Sequence, residues 1–479
     1  MKRLDQHPSP ASMPLAHPVI TVVGGGFAGT ALVLQLRRQP ALAQAEIHLV
    51  EPREVPGPGL AYTARRPEYL LNVRPGALSL YPDAPGHFAA WLQQQPESAI
   101  RVPNFAPRAT YGRYLHEELA AALTSPDPDA THVRWHATTA VAAPLLPDGR
   151  RAVQLADGTE IHSNFVVLAL GNFPPPPPTG PDIRYLDHPG YHADPWAIGN
   201  LRRIGPEDEV LLIGSGLTAV DVLLALRQDG HRAPVTVVAR HGRWPTAHGP
   251  VAEPYPNFYP ELATETTVTG VLAVFKRHLR AATAQGVNWR AVLDALRPDL
   301  GRIWAAWPEV EQDRFLRYLA GLWSVARHRS PPQNAEAVAA LTATGLVQLR
   351  IGTVCEILPD TDQLRVRIRA HGTADGWHTA QHVICCAGPL LDYSRIATPL
   401  VISLREAGDL IPDPLRLGIC TDAHGALFGA DGAASPTLFT LGPSRRPAYF
   451  ESTAVPELRQ QAAALAIELA RRQADFSSE

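Results

Sequence analysis

Two stretches of the chain repeat the same order of apolar and small residues. The run VITVV begins at Val19, ends in glycines and opens the helical pattern FAGTALVLQL. The run VLLI begins at Val210 and leads through glycine and serine into LTAVDVLLALR. Such largely apolar runs are typical of parallel strands buried on both faces. The pattern therefore predicts two strand–turn–helix units, each at the start of its own parallel sheet.

Shorter patterns follow each unit. From His132 to Leu170 the runs HVRWHATTAVAA, AVQLA and NFVVLAL predict a meander around two Asp-Gly turns. The runs VQLRIGTVCEIL, QLRVRIRA and HVICCAG predict a second meander that ends at Ala387 and Gly388. Residues 57–92 are so rich in glycine and proline that they predict a loop-rich lining instead of regular structure. The last stretch predicts a strand, a glycine turn and a long amphipathic helix.

The glycines after Val19 have the spacing of a dinucleotide-binding turn. Gly24, Gly26 and Gly29 lie between a strand and a helix, where backbone N–H groups and the positive helix end meet a pyrophosphate. Glu51 ends the next strand about 20 residues on, where a carboxylate accepts ribose hydroxyls. The alternative is a tight strand-to-helix turn without a ligand. We call this turn the first cradle; its predicted FAD contacts are Gly24, Gly26, Phe27, Ala28, Gly29 and Glu51.

The turn after Val210, the second cradle, departs from this pattern at two places. Ala219 replaces the third glycine, which the pattern permits, and the following strand ends at Arg240 instead of an acid. A cation there can pair with a 2′-phosphate, so NADPH is favoured over NADH, and Arg243 adds a second contact. The alternative is a solvated Arg240, with selectivity set elsewhere. The other predicted contacts are Gly214, Ser215, Gly216, Leu217 and Thr218.

Prolines and helical periodicity divide the chain further. The five consecutive prolines 174–178 predict a stiff crossing between domains, and residues 246–330 have the apolar period of helices. Two cradles in one chain indicate one for FAD and one for a nicotinamide coenzyme. We predict an α/β protein with two Rossmann-like dinucleotide-binding domains, β-meanders and a helical insertion. The predicted bounds are 1–17 for a disordered leader, 18–175 and 389–479 for the FAD-binding domain, 176–245 and 331–388 for the NADPH-binding domain, and 246–330 for the insertion.

Composition excludes several classes of protein. With 479 residues the chain is too long for one core, and a net charge of −3 gives no sign of nucleic-acid binding. Neither a secretory signal nor an apolar run of about 20 residues appears, so we predict a cytoplasmic protein without membrane partners. The four cysteines form neither a C-x-x-C pair nor a metal-ligand spacing, and Cys385 and Cys386 are predicted as buried core thiols.

The order of short motifs along the chain resembles the bacterial FAD/NAD(P)-binding protein family. After the first cradle come GPGLAY, YLLNV, HFAAWL, the prolines, the second cradle, NWRAVLDALRP, SVARHR and ESTAVPELRQQA. The resemblance extends from Val19 to Leu469. That family is related to class B flavin monooxygenases and similar to amino-acid N-hydroxylating flavoenzymes, of which the nitrosuccinate-forming aspartate N-monooxygenases are one branch. In HPGYHADPW, Gly190 lies only two residues before His192, a departure from the Phe-x-Gly-x-x-x-His signature that argues against Baeyer–Villiger chemistry.

The resemblance implies an FAD- and NADPH-dependent monooxygenase. It uses O2 through a C4a-(hydro)peroxyflavin to N-hydroxylate a small amine or amino acid, with aspartate the first to consider. This chemistry needs a water-excluding site but neither a protein nucleophile nor a metal, in agreement with a sequence that has no such motifs. One alternative is an NADPH-dependent flavin oxidoreductase that passes electrons to a quinone, a disulfide partner or a carrier. The other is a non-catalytic nucleotide-binding or redox-sensing protein. The sequence leaves the oligomeric state open.

Residues for the reaction itself are fewer. Asn72 in YLLNV is the predicted catalytic polar group beside the flavin; the alternative is an Asn that shapes a turn by bonding its own backbone. A substrate carboxylate requires a cation, preferably a planar bidentate one. The predicted substrate-binding residues, each with a surface or phosphate contact as its alternative, are Arg74, Arg327, His328, Arg329, Arg445, Arg446 and Tyr449. The remaining predicted cofactor contacts are Asn72, Val73, Gly171, Gly388 and Gly442.

Overall fold

The computed structural model describes residues 17–63, 66–95, 105–124, 131–178, 182–197, 199–250, 253–370 and 375–476. Apart from His17, the predicted leader 1–17 lies outside the described residues. The described strands are β1 (Val19–Val23), β2 (Glu46–Val50), β3 (His132–His136), β4 (Ala140–Ala142), β5 (Arg151–Leu155), β6 (Glu160–Ser163), β7 (Phe165–Leu168), β8 (Tyr191–His192), β9 (Val210–Ile213), β10 (Val235–Ala239), β11 (Val347–Ile351), β12 (Thr353–Pro359), β13 (Leu364–Arg369), β14 (Gly376–Ala380), β15 (His382–Cys385), β16 (Ala426–Phe428) and β17 (Ala434–Thr440).

Helices connect and cover these strands. The described α-helices are α1 (Phe27–Leu36), α2 (Gly59–Tyr62), α3 (His87–Gln93), α4 (Arg108–Leu123), α5 (Leu217–Gln228), α6 (Tyr259–Leu262), α7 (Val268–Ala284), α8 (Trp289–Asp294), α9 (Leu300–Ala305), α10 (Glu309–Tyr318), α11 (Ala320–Arg327), α12 (Pro332–Ala343), α13 (Pro399–Glu406), α14 (Arg446–Tyr449) and α15 (Val455–Phe476). No helix in the described ranges is long and apolar enough to cross a membrane.

The first sheet has the strand order β16-β17-β7-β1-β2-β3 and is parallel except at the β16–β17 pair. Its central strands are buried on both faces, with Ile20, Val22 and Ile47 in the core on one face and Val23 and Val50 in the core on the other. Helix α1 is buried over its whole length and packs against α15. The C-terminal helix thus returns to the first sheet, as predicted.

The second sheet has the order β11-β10-β9-β15-β8 and is parallel throughout. Helices α5 and α12 pack together beside it. The α/β architecture with two cradle-bearing parallel sheets is therefore confirmed. We call the predicted FAD-binding domain, around the first sheet, the first domain and the predicted NADPH-binding domain, around the second sheet, the second domain. Their residue bounds stay predictions.

The two meanders are smaller than predicted. The antiparallel sheets are β4-β5-β6 and β12-β13-β14. The prediction was wrong for β3 and β7, which belong to the first parallel sheet, and for β11 and β15, which belong to the second. The reason is clearest for β7 and β15, because their apolar runs are buried almost throughout and fit the interior of a sheet.

Residues 57–92 are also more regular than predicted. The segment contains the short helix α2 and the seven-residue helix α3. In α3, Phe88, Trp91 and Leu92 are buried, the i, i+3, i+4 spacing of one helix face. The glycine and proline content of the whole stretch obscured this local period.

The prediction of a helical insertion is confirmed, whereas its bounds stay a prediction. Helices α6 to α11 follow one another between residues 259 and 327. They build their own apolar core, in which Trp304 stacks on Phe450 with ring centroids 4.9 Å apart. Since Phe450 lies just before the C-terminal helix, the insertion packs directly against the last part of the chain.

Candidate active site

The two cradles have nearly the same backbone geometry. Gly24 and Gly214 have φ values of +109° and +106°, in the left-handed region that favours glycine. Each amide donates a 2.8 Å hydrogen bond to the carbonyl at the end of the neighbouring second strand. An added Cβ would lie 2.2 Å from the oxygen of Ala169 in the first cradle and 2.7 Å from that of Cys386 in the second. Both positions therefore require glycine for the fold itself.

The second glycine of each cradle is different because the protein leaves room beside it. Gly26 and Gly216 are the N-caps of α1 and α5, with φ/ψ of −77°/−167° and −78°/−171°. A Cβ at Gly26 would lie 3.4 Å from Gly59 Cα, and one at Gly216 would have no described neighbour within 4 Å. The first N–H groups of both helices lack intrahelical acceptors. They belong to Phe27 and Ala28 in α1 and to Leu217 and Thr218 in α5. The free N–H groups at both helix starts, with open space at Gly216 and no steric overlap at Gly26, fit a pyrophosphate at each cradle.

Glu51 fastens the first cradle. The residue is 2% exposed, and its Oε2 accepts a 2.8 Å hydrogen bond from the Gly25 N–H. Oε1 accepts from the amide and the guanidinium of Arg53, each at 3.0 Å. A carboxylate oxygen accepts two hydrogen bonds, so Oε2 retains room for a ribose hydroxyl. The sequence did not point to Gly25 or Arg53.

The first cradle is enclosed, whereas the second is open. The Gly57 N–H donates to Gly25 O at 2.7 Å, and a Cβ at Gly59 would lie 2.8 Å from Gly26 Cα. The 57–59 turn thus covers the glycine loop of the first cradle. By contrast, Gly216 is exposed. A dinucleotide in the first cradle would be held under a covering loop, and one in the second would exchange more freely.

Two exposed arginines flank the second cradle. Arg240 directly follows β10, and Arg243 lies three residues further on. The Ser215 hydroxyl donates to the Arg243 carbonyl at 2.7 Å, which places this segment beside the glycine turn. Neither guanidinium forms a hydrogen bond or ion pair with any residue that the structure describes. Both cations are therefore available to a phosphate.

Replacement of Arg240 by alanine is expected to weaken NADPH binding by about 1.5–3 kcal/mol, roughly tenfold to a hundredfold, while NADH binding changes little. The physical reason is that only NADPH carries the 2′-phosphate. Anaerobic stopped-flow reduction of the flavin at varied coenzyme concentration measures the two affinities. Arg232→Ala, which removes an exposed cation elsewhere in the second domain, is the matched control. An unchanged NADPH/NADH ratio in Arg240→Ala would contradict the assignment.

Three further predicted glycines lie at strand ends around the cradles. Gly171 follows β7 and Gly388 follows β15, and an added Cβ at either would have no described neighbour within 4 Å. Gly442 follows β17, and its added Cβ would lie 3.6 Å from Ala28 Cβ, at the start of α1. Val73 packs against the core of the first sheet. These positions are compatible with cofactor contacts, which stay predictions.

Asn72 lies where the first domain contacts the start of the predicted insertion. Its backbone carbonyl accepts a 2.9 Å hydrogen bond from His248 Nε2, and its side chain has no hydrogen-bond partner among the described residues. The alternative of a turn shaped by its own side chain therefore has no support in the described contacts. Burial lowers the pKa of His248 to about 4, so its imidazole is neutral and donates through Nε2. The Asn72 amide is left for another partner.

Three of the predicted substrate arginines are already paired. Arg74 Nη2 donates to the Gly249 carbonyl at 3.1 Å, and Arg329 forms a bidentate pair with Asp294 at 2.8 and 3.0 Å. Arg445 Nη2 donates to the carbonyls of residues 422 and 423, and its guanidinium lies 4.8 Å from the ring of Tyr449. These contacts hold loops together. They make the three arginines weaker candidates for a substrate carboxylate.

A buried charged cluster at the end of α11 keeps unpaired donors. Glu451, 8% exposed, accepts from Trp323 Nε1 at 2.9 Å and from Arg327 Nε at 3.0 Å. Arg327 Nη2 and Arg446 Nε are buried without a hydrogen-bond partner in the described part of the chain. Burial lowers the pKa of His328 to about 4, so this imidazole adds no charge. Arg74 and Arg445 also keep a buried Nε without a hydrogen-bond partner, and Arg327 Nη2 lies 3.8 Å from Glu457 Oε1. Arg446 forms no ion pair with any described residue, so it is the substrate candidate that the geometry favours.

The backbone beside Glu451 is strained. Phe450 has a φ of +58°, and the Glu451 N–H donates to the Tyr449 carbonyl at 2.6 Å across it. Such a tight turn at a bulky residue costs about 1–3 kcal/mol and persists where the surroundings enforce it. Sequence reasoning missed Glu451, although it begins the motif ESTAVPELRQQA.

Comparison with known proteins extends these observations. Residues 21–173 match the sequence model of a family described as FAD-NAD(P)-binding. Among curated protein sequences, none matches this chain.

Nearly the whole chain superposes on solved structures at low sequence identity. The reduced form of ornithine hydroxylase from Pseudomonas aeruginosa is 16% identical, with 96% of this chain and 100% of that chain covered and a TM-score of 0.64. Ornithine N-hydroxylase from Kutzneria sp. 744, with reduced FAD, NADP+ and L-ornithine, is 14% identical, with coverages of 95% and 99% and a TM-score of 0.62. The FAD-bound cadaverine monooxygenase of desferrioxamine biosynthesis from Erwinia amylovora is 12% identical, with coverages of 96% and 96% and a TM-score of 0.63. Residues 21–173 are therefore similar to the FAD-NAD(P)-binding family, and nearly the whole chain shares the fold of these three solved structures.

Proposed function

We propose that this protein is an FAD- and NADPH-dependent monooxygenase that N-hydroxylates a small amine or amino acid. The observation that carries the proposal is the pair of equivalent cradles, one enclosed and one open, in this fold. The structural relatives named above act on ornithine and cadaverine. Aspartate as the substrate rests on the sequence resemblance alone.

The enclosed cradle suits FAD, which stays bound through many turnovers. Gly26 and the start of α1 would hold its pyrophosphate, and Glu51 would accept a ribose hydroxyl. The open cradle suits a coenzyme that enters and leaves, with Arg240 and Arg243 beside the 2′-phosphate. When bound, FAD supplies the redox and oxygen chemistry.

The chain's own residues would bind and orient the substrate. Arg446 keeps a buried Nε without a partner and forms no ion pair with any described residue, so it is the first proposed partner of a substrate carboxylate, followed by Arg327. Asn72 is the proposed polar group at the domain boundary, because its amide has no partner in the described part of the chain. All three contacts require a cleft from which water is largely excluded.

The cysteines do not favour the oxidoreductase alternative in its disulfide form. All four are free; Cys385 and Cys386 are buried, and burial raises the pKa of both thiols. Such thiols react slowly with a disulfide. Electron transfer to a quinone stays as the alternative that an experiment must separate.

The test is incubation of the purified holoprotein with NADPH, ¹⁸O2 and a panel of small amines and amino acids that includes aspartate. We expect at least one compound to accelerate NADPH oxidation and to gain one labelled oxygen on nitrogen, as read by mass spectrometry. Reactions without amine measure the NADPH lost to hydrogen peroxide. The proposal fails if no compound gains label while quinones accelerate NADPH oxidation.

A further inference from the structure

A small ribbon of the first domain enters the core of the second. Residues 69–71 and 106–108, which we call the ribbon, pair through an antiparallel bridge between Leu70 and Pro107. Tyr69 is 3% exposed and belongs to the apolar core beneath the second sheet. Its ring meets that of Trp196 edge-on, with centroids 5.1 Å apart. The ribbon thus anchors the first domain inside the second.

Charged side chains fasten α5, the helix that begins at the second cradle, near both of its ends. Arg108 Nη2 donates to Asp221 Oδ2 at 3.1 Å, and its guanidinium lies 5.2 Å from the Trp196 ring. At the other end, Arg66 Nη1 donates to Asp229 Oδ1 at 3.1 Å. Asp229 caps the C-terminus of α5. One rigid helix is therefore tied to the first domain at two points about two turns apart.

The Arg108–Asp221 pair is the inner of these ties. Asp221 is 3% exposed, and burial raises the pKa of its carboxyl to about 6 although Arg108 acts in the opposite direction. Above that pH the buried carboxylate depends on Arg108 as its partner. Rotation of α5 away from the ribbon would leave a buried charge unpaired, which is strongly unfavourable.

We propose that Arg108, Asp221 and Tyr69 are positioning residues that hold the second cradle in one orientation toward the first domain. NADPH bound at that cradle would then meet the first domain in a single arrangement of the two domains. This inference rests on the proposed assignment of NADPH to the second cradle. The mechanical part, a locked helix α5, does not depend on any reaction.

Backbone hydrogen–deuterium exchange of the flavin-loaded protein without coenzyme tests the mechanical part. Asp221→Asn is expected to raise exchange in residues 69–71 and 217–228 and to enlarge the radius of gyration in small-angle scattering. The double variant Arg66→Ala/Asp229→Asn is expected to act in the same direction, and it keeps the test open if Asp221→Asn folds poorly. Glu207→Gln, which removes an exposed ion pair inside the second domain, is the matched control.

Anaerobic flavin reduction by NADPH tests the positioning part. Asp221→Asn is expected to lower the rate at saturating NADPH by about tenfold or more, because a misplacement near 1 Å costs up to about a hundredfold. The dissociation constant of NADPH is expected to stay close to that of wild type, since no phosphate contact is removed. Arg108→Lys is expected to lower the rate less than Asp221→Asn does, because it keeps a positive charge opposite Asp221.

The outcomes separate this inference from the proposed function. The inference is wrong if Asp221→Asn and Arg66→Ala/Asp229→Asn both have the hydrogen exchange, radius of gyration and flavin reduction rate of Glu207→Gln. If NADPH does not reduce the flavin of the wild-type protein, the proposed function and the positioning role are both wrong. In that case, increased hydrogen exchange in Asp221→Asn and in Arg66→Ala/Asp229→Asn would still show that these contacts hold helix α5 against the first domain.

Discussion

Gly26→Ala is expected to yield protein that is purified with little or no flavin. The substitution adds a Cβ whose nearest described neighbour is Gly59 Cα at 3.4 Å, and the extended φ of −77° suits any residue. The fold therefore tolerates alanine, but the methyl group occupies the space that a pyrophosphate needs. Each charged hydrogen bond lost to the phosphate weakens binding by about tenfold to a hundredfold.

Gly216→Ala is the matched control for this substitution. It makes the same change at the equivalent position, where no described atom lies within 4 Å. We expect it to retain FAD and to lose reduction by NADPH. The ratio of flavin to protein absorbance and the melting temperature are measured for both variants. Full flavin occupancy in Gly26→Ala would contradict the assignment of FAD to the first cradle.

Glu51→Ala is also expected to reduce flavin loading, but the loss of flavin from this variant has two causes. The Glu51 carboxylate holds the Gly25 N–H at 2.8 Å, so its loss loosens the glycine loop and removes the ribose acceptor at once. Gly26→Ala is therefore the cleaner variant.

Glu451→Ala is expected to lower the free energy of unfolding by about 3–5 kcal/mol. It leaves Arg327 Nε and the Trp323 N–H without their acceptor, while Glu457 stays 3.8 Å from Arg327 Nη2. Glu451→Gln should cost less because it keeps an oxygen for Trp323. Urea denaturation measures both effects.

Glu160→Gln provides the comparison for this variant. It removes an exposed contact with His162 and is expected to change stability by about 0–1 kcal/mol. A Glu451→Ala protein as stable as Glu160→Gln would show that the charged cluster does not hold the insertion to the C-terminal segment.

The parts of the fold that follow from local rules were predictable from the sequence. Gly24 and Gly214 need left-handed φ values, and the apolar runs before them need burial on both faces, so strand, turn and helix are encoded within about 20 residues. The same locality explains the correct prediction of the helical insertion.

Features that depend on distant partners were not predictable. The strand β7 is an apolar run whether it joins a meander or a parallel sheet, and only its neighbours β1 and β17 decide. Asp221 appears as an ordinary helix residue until Arg108 is placed beside it. Similarly, Arg329 and Arg445 have the chemistry of a carboxylate clamp in sequence, but the fold supplies them with protein partners.

The most direct test of the account is an anaerobic titration of the purified protein with NADPH after gel filtration. If the enclosed cradle holds FAD and the open cradle delivers the nicotinamide, one FAD per chain remains through the column. One equivalent of NADPH then bleaches the flavin absorbance, and NADH does so only at much higher concentration. Protein that elutes without flavin, or with a flavin that NADPH leaves oxidised, would contradict the account.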